Sequence, residues 1–176
     1  MRLLIVTQKV DIHDDLLGFF HQWIVEFAKH CEFVTVICLE KGAHALPSNV
    51  RILSLGKERC GKREAKVLTL KSEAGKVKPC AEFSTAAHFS NRIKYLFNFY
   101  KYIWRERKNY DAVFVHMNTE YVVLAGCLWR LLGKKVALWH VHFEVNPRLW
   151  LAGLLAHVIF TTTKDGCRVW RKKVHA

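Results

Sequence analysis

Apolar residues recur along the chain with two periods, which predict the order of its secondary structure elements. Short unbroken apolar runs, typical of strands buried on both faces, predict strands at Leu3–Thr7, Phe33–Leu39, Val50–Leu55, Tyr110–Met117, Val136–His142 and His157–Thr162. Apolar residues three and four positions apart predict helices at Leu16–His30, Ile93–Lys108, Asn118–Gly133 and Asn146–Ala156. Strands that alternate with helices in this way predict an α/β domain, Rossmann-like and three-layered, with a mainly parallel sheet.

The segment Tyr110–His142 is the most informative part of this pattern. It reads as strand, helix and strand, a βαβ unit that is right-handed and parallel in nearly all proteins. The first strand ends at His116, and the second carries His140 and His142 at its end. Ligands of open parallel sheets bind at the carboxyl ends of the strands, so we expect a site here. Strand alternation places His140 and His142 on one side of the second strand.

Two features of the predicted helices have more than one interpretation. Gly18 is unfavourable near the start of a helix capped by Asp14 or Asp15, which indicates that something approaches the backbone closely. That neighbour is either a ligand or a packed loop. In the helix Ile93–Lys108, the apolar sector is broad and has basic flanks, as expected either of a membrane-surface helix or of a core helix whose lysines reach solvent.

The periodic pattern is interrupted between residues 57 and 90. Lys57–Lys78 contains eight basic and three acidic residues with little periodicity. We interpret 57–90 as a basic insertion or mobile loop, with a phosphate-binding patch as the alternative.

Composition supports one domain with an anionic partner. The chain has 176 residues, 51% of them hydrophobic, enough for a single full-sized core. Its net charge of +13 suits nucleic acid, a phosphorylated small molecule or an acidic membrane surface. Six scattered cysteines form no C-x-x-C pair and predict neither a disulfide framework nor a metal site, which favours the cytosol. We find no signal peptide, and the longest strongly apolar run, Leu149–Phe160, is about half a membrane span.

Several segments together resemble the amino-terminal domain of family 4 glycosyltransferases of the GT-B fold. The resemblance covers about two thirds of the chain and leaves out Lys57–Ser90. It is carried by Leu4–Val10, Gly18–Trp23, Tyr110–Asn118, Val136–His142 and Val158–Lys164. Each motif is weak alone, and their order and spacing carry the resemblance.

The resemblance implies an acceptor-binding domain of a retaining glycosyltransferase. In the family a second Rossmann-like domain binds the nucleotide-sugar donor, and the chain ends where that domain would begin. We therefore expect a fragment, a truncated product or one subunit of a split enzyme that is inactive alone. The implied partners are a donor-binding domain and a sugar or lipid-linked acceptor. No cofactor is expected beyond the nucleotide-sugar donor of the missing domain. The expected location is cytoplasmic, with the inner face of the membrane as a candidate surface.

The resemblance also implies a site at the strand ends. We expect His142 and His140 to be catalytic, with His142 favoured because it is nearer the strand end. A histidine of near-neutral pKa can orient and partly deprotonate an acceptor hydroxyl, although in retaining members the donor phosphate shares that role. The expected acceptor-binding residues are Gly18, His21, His116, Asn118 and Glu120. For each histidine, a structural hydrogen-bonding role is the alternative.

Two rival classes remain beside the enzyme. The first is a non-catalytic subunit or adaptor that docks a separate donor domain or an anionic membrane surface. Specific nucleic-acid binding is disfavoured because no RNP pair or C₂H₂ spacing is present. The second rival, a dinucleotide-binding protein, lacks the G-x-G-x-x-G motif after the first strand.

Overall fold

A computed structural model of the chain describes residues 1–57, 85–141, 146–163 and 167–176, with the backbone alone for 85–89. Most of the predicted insertion at 57–90 lies outside the described residues, and so does His142.

Seven strands of the described part form a single parallel sheet, in the order β3-β2-β1-β4-β5-β6-β7. The strands are β1 (Arg2–Val10), β2 (Phe33–Lys41), β3 (Val50–Ser54), β4 (Ala112–His116), β5 (Lys135–Trp139), β6 (Val158–Phe160) and β7 (Val174–His175). Every pair of neighbours is parallel. The predicted α/β, Rossmann-like fold with a parallel sheet is confirmed.

Helices cover the sheet on both faces. They are α1 (Gly18–His30), α2 (Thr85–Glu106), α3 (Thr119–Leu131) and α4 (Pro147–Leu155), with a short 3₁₀ turn at Arg171–Lys173. Helix α1 packs through Phe20 and Ile24 on one face of the sheet, against residues such as Phe114. Helices α2, α3 and α4 pack on the other face. Right-handed crossovers require this division, because the chain moves in one direction from β1 to β3 and in the other from β4 to β7.

Asparagine caps begin two of the predicted helices. The side chains of Asn118 and Asn146 accept hydrogen bonds from the backbone N–H groups of Glu120 and Leu149, at the starts of α3 and α4. Gly133 has a φ of 69°, a left-handed conformation that ends α3 near the predicted boundary.

Several predicted boundaries differ from those observed. Helix α1 begins at Gly18 rather than Leu16, because the Asp14 side chain holds the N–H groups of Leu16 and Leu17 in the preceding turn. Strand β5 ends at Trp139, before the predicted end at His142. Helix α2 begins at Thr85, before the predicted start at Ile93.

The broad apolar sector of α2 divides into two faces. Phe99 and Ile103 are buried in the core, and Tyr95 and Tyr102 pack against it. The outer face exposes Ile93, Leu96, Phe97 and Trp104, with Phe97 68% and Trp104 54% exposed. In the described part of the chain, no helix is both long enough and apolar enough to cross a bilayer.

Candidate functional site

The sheet order places a crevice at the carboxyl ends of β1 and β4. Strand β1 pairs with β2 on one side and with β4 on the other. The connection that follows β1 and the connection that precedes β4 lie on opposite faces of the sheet. Strands β1 and β4 therefore form the topological switch point, which is where ligands of such sheets bind. The register that pairs Val6 with Val115 brings the next residues, Thr7 and His116, together at this edge.

His116 is the central side chain of the crevice. It is 1% exposed, and its Nδ1 lies 3.2 Å from Oγ1 of Thr7. Its ring stacks on that of Phe20, with the centroids 3.7 Å apart and the planes at 12°. The rings of Phe19 and Trp23 lie at 6.0 Å and 6.2 Å from it. Burial among these groups lowers the pKa of His116 to about 4.

This environment fixes what His116 can do chemically. With a pKa of about 4 it is a neutral imidazole at pH 7. The Thr7 hydroxyl forms a hydrogen bond with Nδ1 of His116, and the buried Nε2 has no hydrogen-bond partner among the described residues. A buried polar atom without a partner is costly, and this one can act as a hydrogen-bond donor or acceptor according to the tautomer.

The turn after β4 contains strained backbone. Met117 has a φ of 60°, which is rare outside glycine, and the Asn118 N–H donates to the carbonyl of His116 at 2.8 Å. The Met117 N–H donates to the carbonyl of Trp139 at 2.9 Å and so ties this turn to the end of β5. Strained residues of this kind concentrate at functional sites, where the surrounding structure holds them.

Asn118 and Glu120, both predicted to bind the acceptor, lie at the start of α3. Asn118 Oδ1 accepts the Glu120 N–H at 2.9 Å, so this oxygen is used in the cap. The Glu120 carboxylate is exposed and accepts a hydrogen bond from Nη1 of Arg148 at 2.8 Å. The pair joins the first turns of α3 and α4 beside the crevice.

Gly18 and His21, the other two residues predicted to bind the acceptor, are in contact with protein loops. A Cβ atom on Gly18 would lie 3.2 Å from the carbonyl oxygen of Ile12, so the packed loop, rather than a ligand, accounts for its close approach. Nε2 of His21 accepts the Ala45 N–H at 3.1 Å, and burial lowers its pKa. His21 therefore joins α1 to the loop after β2.

Of the two histidines predicted to be catalytic, His140 lies among the described residues and His142 does not. His140 is 3% exposed, follows β5, and donates its backbone N–H to the carbonyl of Phe160 at 2.9 Å. Strand alternation places Trp139 on the His116 side of the sheet and His140 on the other side. His142 lies outside the described residues, so its position stays a prediction.

Sequence reasoning missed the aromatic lining of the crevice. Trp139 meets Trp23 with ring centroids 4.9 Å apart, next to the rings that surround His116. The available signal was strand alternation, which puts Thr7 of β1 on one face of the sheet with His116 and Trp139, the last residues of β4 and β5. The aromatic residues of α1 were assigned to its core stripe and not to the site.

A half-buried ion cluster holds the loop between β1 and α1. Nζ of Lys9 lies 2.8 Å from Asp14, 3.3 Å from Asp11 and 3.8 Å from Glu40. Hydrogen bonds from Lys9 and from the backbone lower the pKa of Asp14 to about 2, and the carboxylates raise the pKa of Lys9. The cluster keeps these charges ionised and fixes the loop beside the crevice. In the described part of the chain, this cluster included, no group of three His, Cys, Asp or Glu side chains is placed to hold a metal ion.

Comparisons with known proteins find similarity in the fold alone. No family model matches the chain, and none of the curated proteins matches its sequence. Among solved structures, the lipopolysaccharide outer core galactosyltransferase WaaB is similar with a TM-score of 0.57 and 10% identity. The UDP-GlcNAc 2-epimerase from Methanocaldococcus jannaschii is similar with a TM-score of 0.52 and 13% identity. Both alignments cover 100% of this chain and 45% of the other chain.

A third similar structure, HepE from Anabaena in complex with UDP, has a TM-score of 0.50 and 12% identity, over 94% of this chain and 39% of that one. The chain therefore spans less than half the length of these proteins. Its fold is the Rossmann-like half of a GT-B architecture, as the sequence predicted. Assignment to family 4 stays a prediction, since similarity at such identities shows the fold and not the activity.

The buried His116 predicts a loss of stability in mild acid. Unfolded His116 takes up a proton near its ordinary pKa of 6.5, and the folded residue only near 4. The unfolded state thus binds more protons in this interval, and the free energy of unfolding falls as the pH drops through it, by about 2 kcal/mol at pH 5 for this residue. We expect His116→Phe, which keeps an aromatic ring against Phe20, to remove the part of this loss that His116 causes. Urea unfolding at pH 7.5 and at pH 5 measures the free energy of unfolding of both proteins.

Comparing the wild type with His116→Phe isolates the contribution of His116 to the acid-induced loss of stability. His21 and His157 also have lowered pKa values, but they contribute to this loss in both proteins. An equal loss in the wild type and in the variant would show that His116 is not held neutral.

Proposed function

We propose that this chain is the acceptor-binding domain of a retaining glycosyltransferase, which transfers a sugar from a nucleotide-sugar donor held by a separate domain. The fold supports the proposal because similar structures include a galactosyltransferase and a protein in complex with UDP. Each of those proteins is more than twice as long as the part of it that aligns with this chain, which leaves room in it for a second domain. Alone, this chain is then expected to transfer no sugar, because catalysis needs donor and acceptor in one closed cleft.

The observation that carries the proposal is the unpartnered Nε2 of His116 at the switch point. A neutral imidazole binds a hydroxyl without drawing in an anion, which suits an uncharged sugar. The surrounding rings of Phe19, Trp23 and Trp139 offer apolar surface to the C–H face of a pyranose. A nucleotide pyrophosphate would require cationic or backbone N–H groups directed at it. The described rings that surround His116 are aromatic, which suits a sugar acceptor better than a donor pyrophosphate.

His140 and His142 retain their proposed catalytic role in the complete enzyme. With the donor phosphate sharing the proton transfer, their contribution is to orient the acceptor hydroxyl and assist its deprotonation. His116, with its low pKa, is a weak base and is better suited to binding.

Ligand titration of the chain tests the acceptor assignment. We expect methyl glycosides to shift the NMR signals of Phe19, His116 and Trp139 saturably, with dissociation constants of about 1 mM or weaker, as is usual for small polar ligands without a closed cleft. UDP and UDP-sugars should produce no saturable shift at these residues. His116→Phe should weaken glycoside binding about tenfold through loss of the hydrogen bond.

Gln22→Ala serves as the control, because Gln22 is exposed on the same helix as Phe19. Tight binding of UDP to the crevice would instead identify the chain as a donor-binding half, and the proposal would be abandoned.

The histidine roles require the complete enzyme, in which the chain is joined to its donor domain. We expect His140→Ala or His142→Ala to lower kcat/KM by about tenfold to several hundredfold through lost orientation and base assistance, with the fold retained. Steady-state kinetics with circular dichroism measure both quantities. Full activity in both folded variants would place the catalytic residues elsewhere.

A second candidate function, an adaptor on an anionic membrane surface, is favoured by the outer face of α2. Phe97 and Trp104 are exposed on this face, and the guanidinium of Arg107 lies 4.5 Å from the Trp104 ring centroid. Cations surround the exposed aromatic residues: Lys94, Lys101, Arg105, Arg107 and Lys108. Apolar and aromatic residues beside cations suit the headgroup region of anionic lipids on the inner face of a membrane.

Vesicle co-sedimentation tests this second function. We expect binding to phosphatidylglycerol vesicles that weakens with salt, little binding to phosphatidylcholine vesicles, and a loss of about tenfold in Phe97→Ser/Trp104→Ser. Leu16→Ser, at an apolar site outside α2 that is more exposed than either residue, should bind like the wild type. Binding that survives the double substitution would exclude α2 as the membrane contact.

A further inference from the structure

One face of the sheet is only partly covered by the described helices. Helices α2, α3 and α4 pack on the opposite face, so among the described residues α1 is the only α-helix on this side. Its buried residues form one cluster with Ile5 of β1, Val36 of β2 and Phe114 of β4. Helices pack about 8–10 Å apart and strands about 4.8 Å apart, so one helix covers roughly two strands. No described helix therefore lies over β5, β6 and β7 on this face.

The side chains on this uncovered part of the face are apolar. Ile159 packs into the cluster of the opposite face, so strand alternation directs its neighbours Val158 and Phe160 to this one. Ala137 of β5 is in register with Val158 and packs beside the α1 cluster. Phe160 is 37% exposed, and the other two are partly exposed. Ala137, Val158 and Phe160, which we call the shelf, thus leave apolar surface open, whereas parallel sheets are ordinarily buried on both faces.

Helix α1 forms a wall along one side of the shelf. The ring centroid of Trp23 lies 4.9 Å from that of Trp139, and the centroid of Phe27 lies 5.1 Å from that of Phe114. A groove of about 430 Å³ follows α1 and is lined by Gln22, Trp23, Glu26, Phe27 and His30. An apolar floor beside an aromatic wall is the kind of surface on which the next helix of an α/β layer packs.

We propose that, whatever sugar the crevice binds, the shelf docks an amphipathic α-helix of a partner protein, with its apolar side on Val158 and Phe160 and acidic residues along its edges. A helix with its side chains is about 10–12 Å thick, which matches the roughly 14 Å width of three strands. The five residues of β5 extend for about 17 Å, the length of about three helical turns. An apolar helix face laid in an apolar groove is a recurrent mode of recognition.

The charges at the rim of the shelf favour acidic edges on the docked helix. Lys135 is exposed, and strand alternation places it on the same side as Ala137. The carboxylate of Glu26, on the wall, is already bound by Nζ of Lys29 at 2.7 Å and lies 3.2 Å from Nε2 of His30. Lys135 therefore adds a cation that Glu26 does not balance. Complementary charge at the rim of an interface selects the partner and speeds its association.

A second copy of the chain and a membrane both fit the shelf less well. A two-fold dimer through this face would set α1 of one copy against the shelf of the other. The outer side of α1 carries the exposed polar residues Gln22, Glu26 and Lys29, which do not match an apolar floor. A flat bilayer would meet this same polar side first, because α1 stands about 10 Å above the sheet.

Three designed peptides test the inference on the full chain. Each has about 14 residues and is cross-linked to hold the helix. The first has leucine and alanine on one side and glutamate along the edges, the second has lysine in place of glutamate, and the third has the composition of the first without an apolar side. We expect the glutamate peptide to shift the NMR signals of Ala137, Val158 and Phe160 saturably, with a dissociation constant of about 100 µM or tighter. Fluorescence anisotropy should show the lysine peptide about tenfold weaker and the third peptide unbound.

Substitutions in the shelf locate the binding. Val158→Trp places a bulky side chain where the helix would lie, and we expect it to weaken the glutamate peptide at least about tenfold. Its urea unfolding midpoint should stay near that of the wild type, because the added ring extends into open space. Leu124→Trp is the matched control, since Leu124 is 42% exposed on α3 and should leave peptide binding unchanged. Phe160→Ser provides a second test of the shelf should Val158→Trp fail to fold.

Several results would overturn the inference. These are the absence of saturable binding of the glutamate peptide, equal binding of the glutamate and lysine peptides, and binding that survives both shelf substitutions. A large loss of stability in Val158→Trp would show that the chain itself already covers the shelf. Shelf signals that respond only to protein concentration would identify a second copy as the occupant, and a response only to phosphatidylglycerol vesicles would identify a membrane.

Discussion

Coverage of both faces of the parallel sheet is the constraint on which the rest of the structure depends. Parallel strands are buried on both sides and need helices on each. Strand β1 lies between β2 and β4, and Leu4, Ile5 and Val6 are fully buried. Because successive side chains alternate, Ile5 packs toward α1 and its neighbours Leu4 and Val6 toward the opposite layer. The reversal of direction at β1 places one helix layer on each face and opens the crevice at its carboxyl end.

The same burial determines the chemistry of the crevice. His116 lies at the end of β4, where the helix α1 that covers β1 brings Phe20 into contact with its ring. Desolvation there keeps the imidazole neutral, and the strained turn at Met117 ends the strand directly beyond it. A residue that completes the hydrophobic layer thus also carries a polar atom at the carboxyl edge of the sheet. The packing of His116 against Phe20 therefore sets both the burial and the protonation state of its ring.

The charge of the protein is distributed over surfaces of different character. The outer face of α2 combines exposed Phe97 and Trp104 with cations. In the loop after β1, by contrast, the half-buried Asp11 and Asp14 pair with Lys9, and Ile12 and Leu16 are exposed. The net charge of +13 alone would assign the same anionic partner to both surfaces. Their geometry separates a face on which apolar and cationic side chains adjoin from a loop in which Lys9 pairs with carboxylates and apolar side chains are exposed.

The sequence by itself determined the elements and their order, because apolar periodicity reflects which faces are buried whatever lies opposite them. It therefore predicted the parallel α/β fold and placed His116 at a strand end. It left open whether a ligand or a loop approaches Gly18, and which aromatic residues of α2 are buried, since both depend on neighbours distant in the chain. Only the tertiary structure decided that Thr7, Phe20 and His116 meet, and that His21 serves a backbone N–H. These contacts join segments up to 109 residues apart, and their energies arise from register and packing that no local pattern encodes.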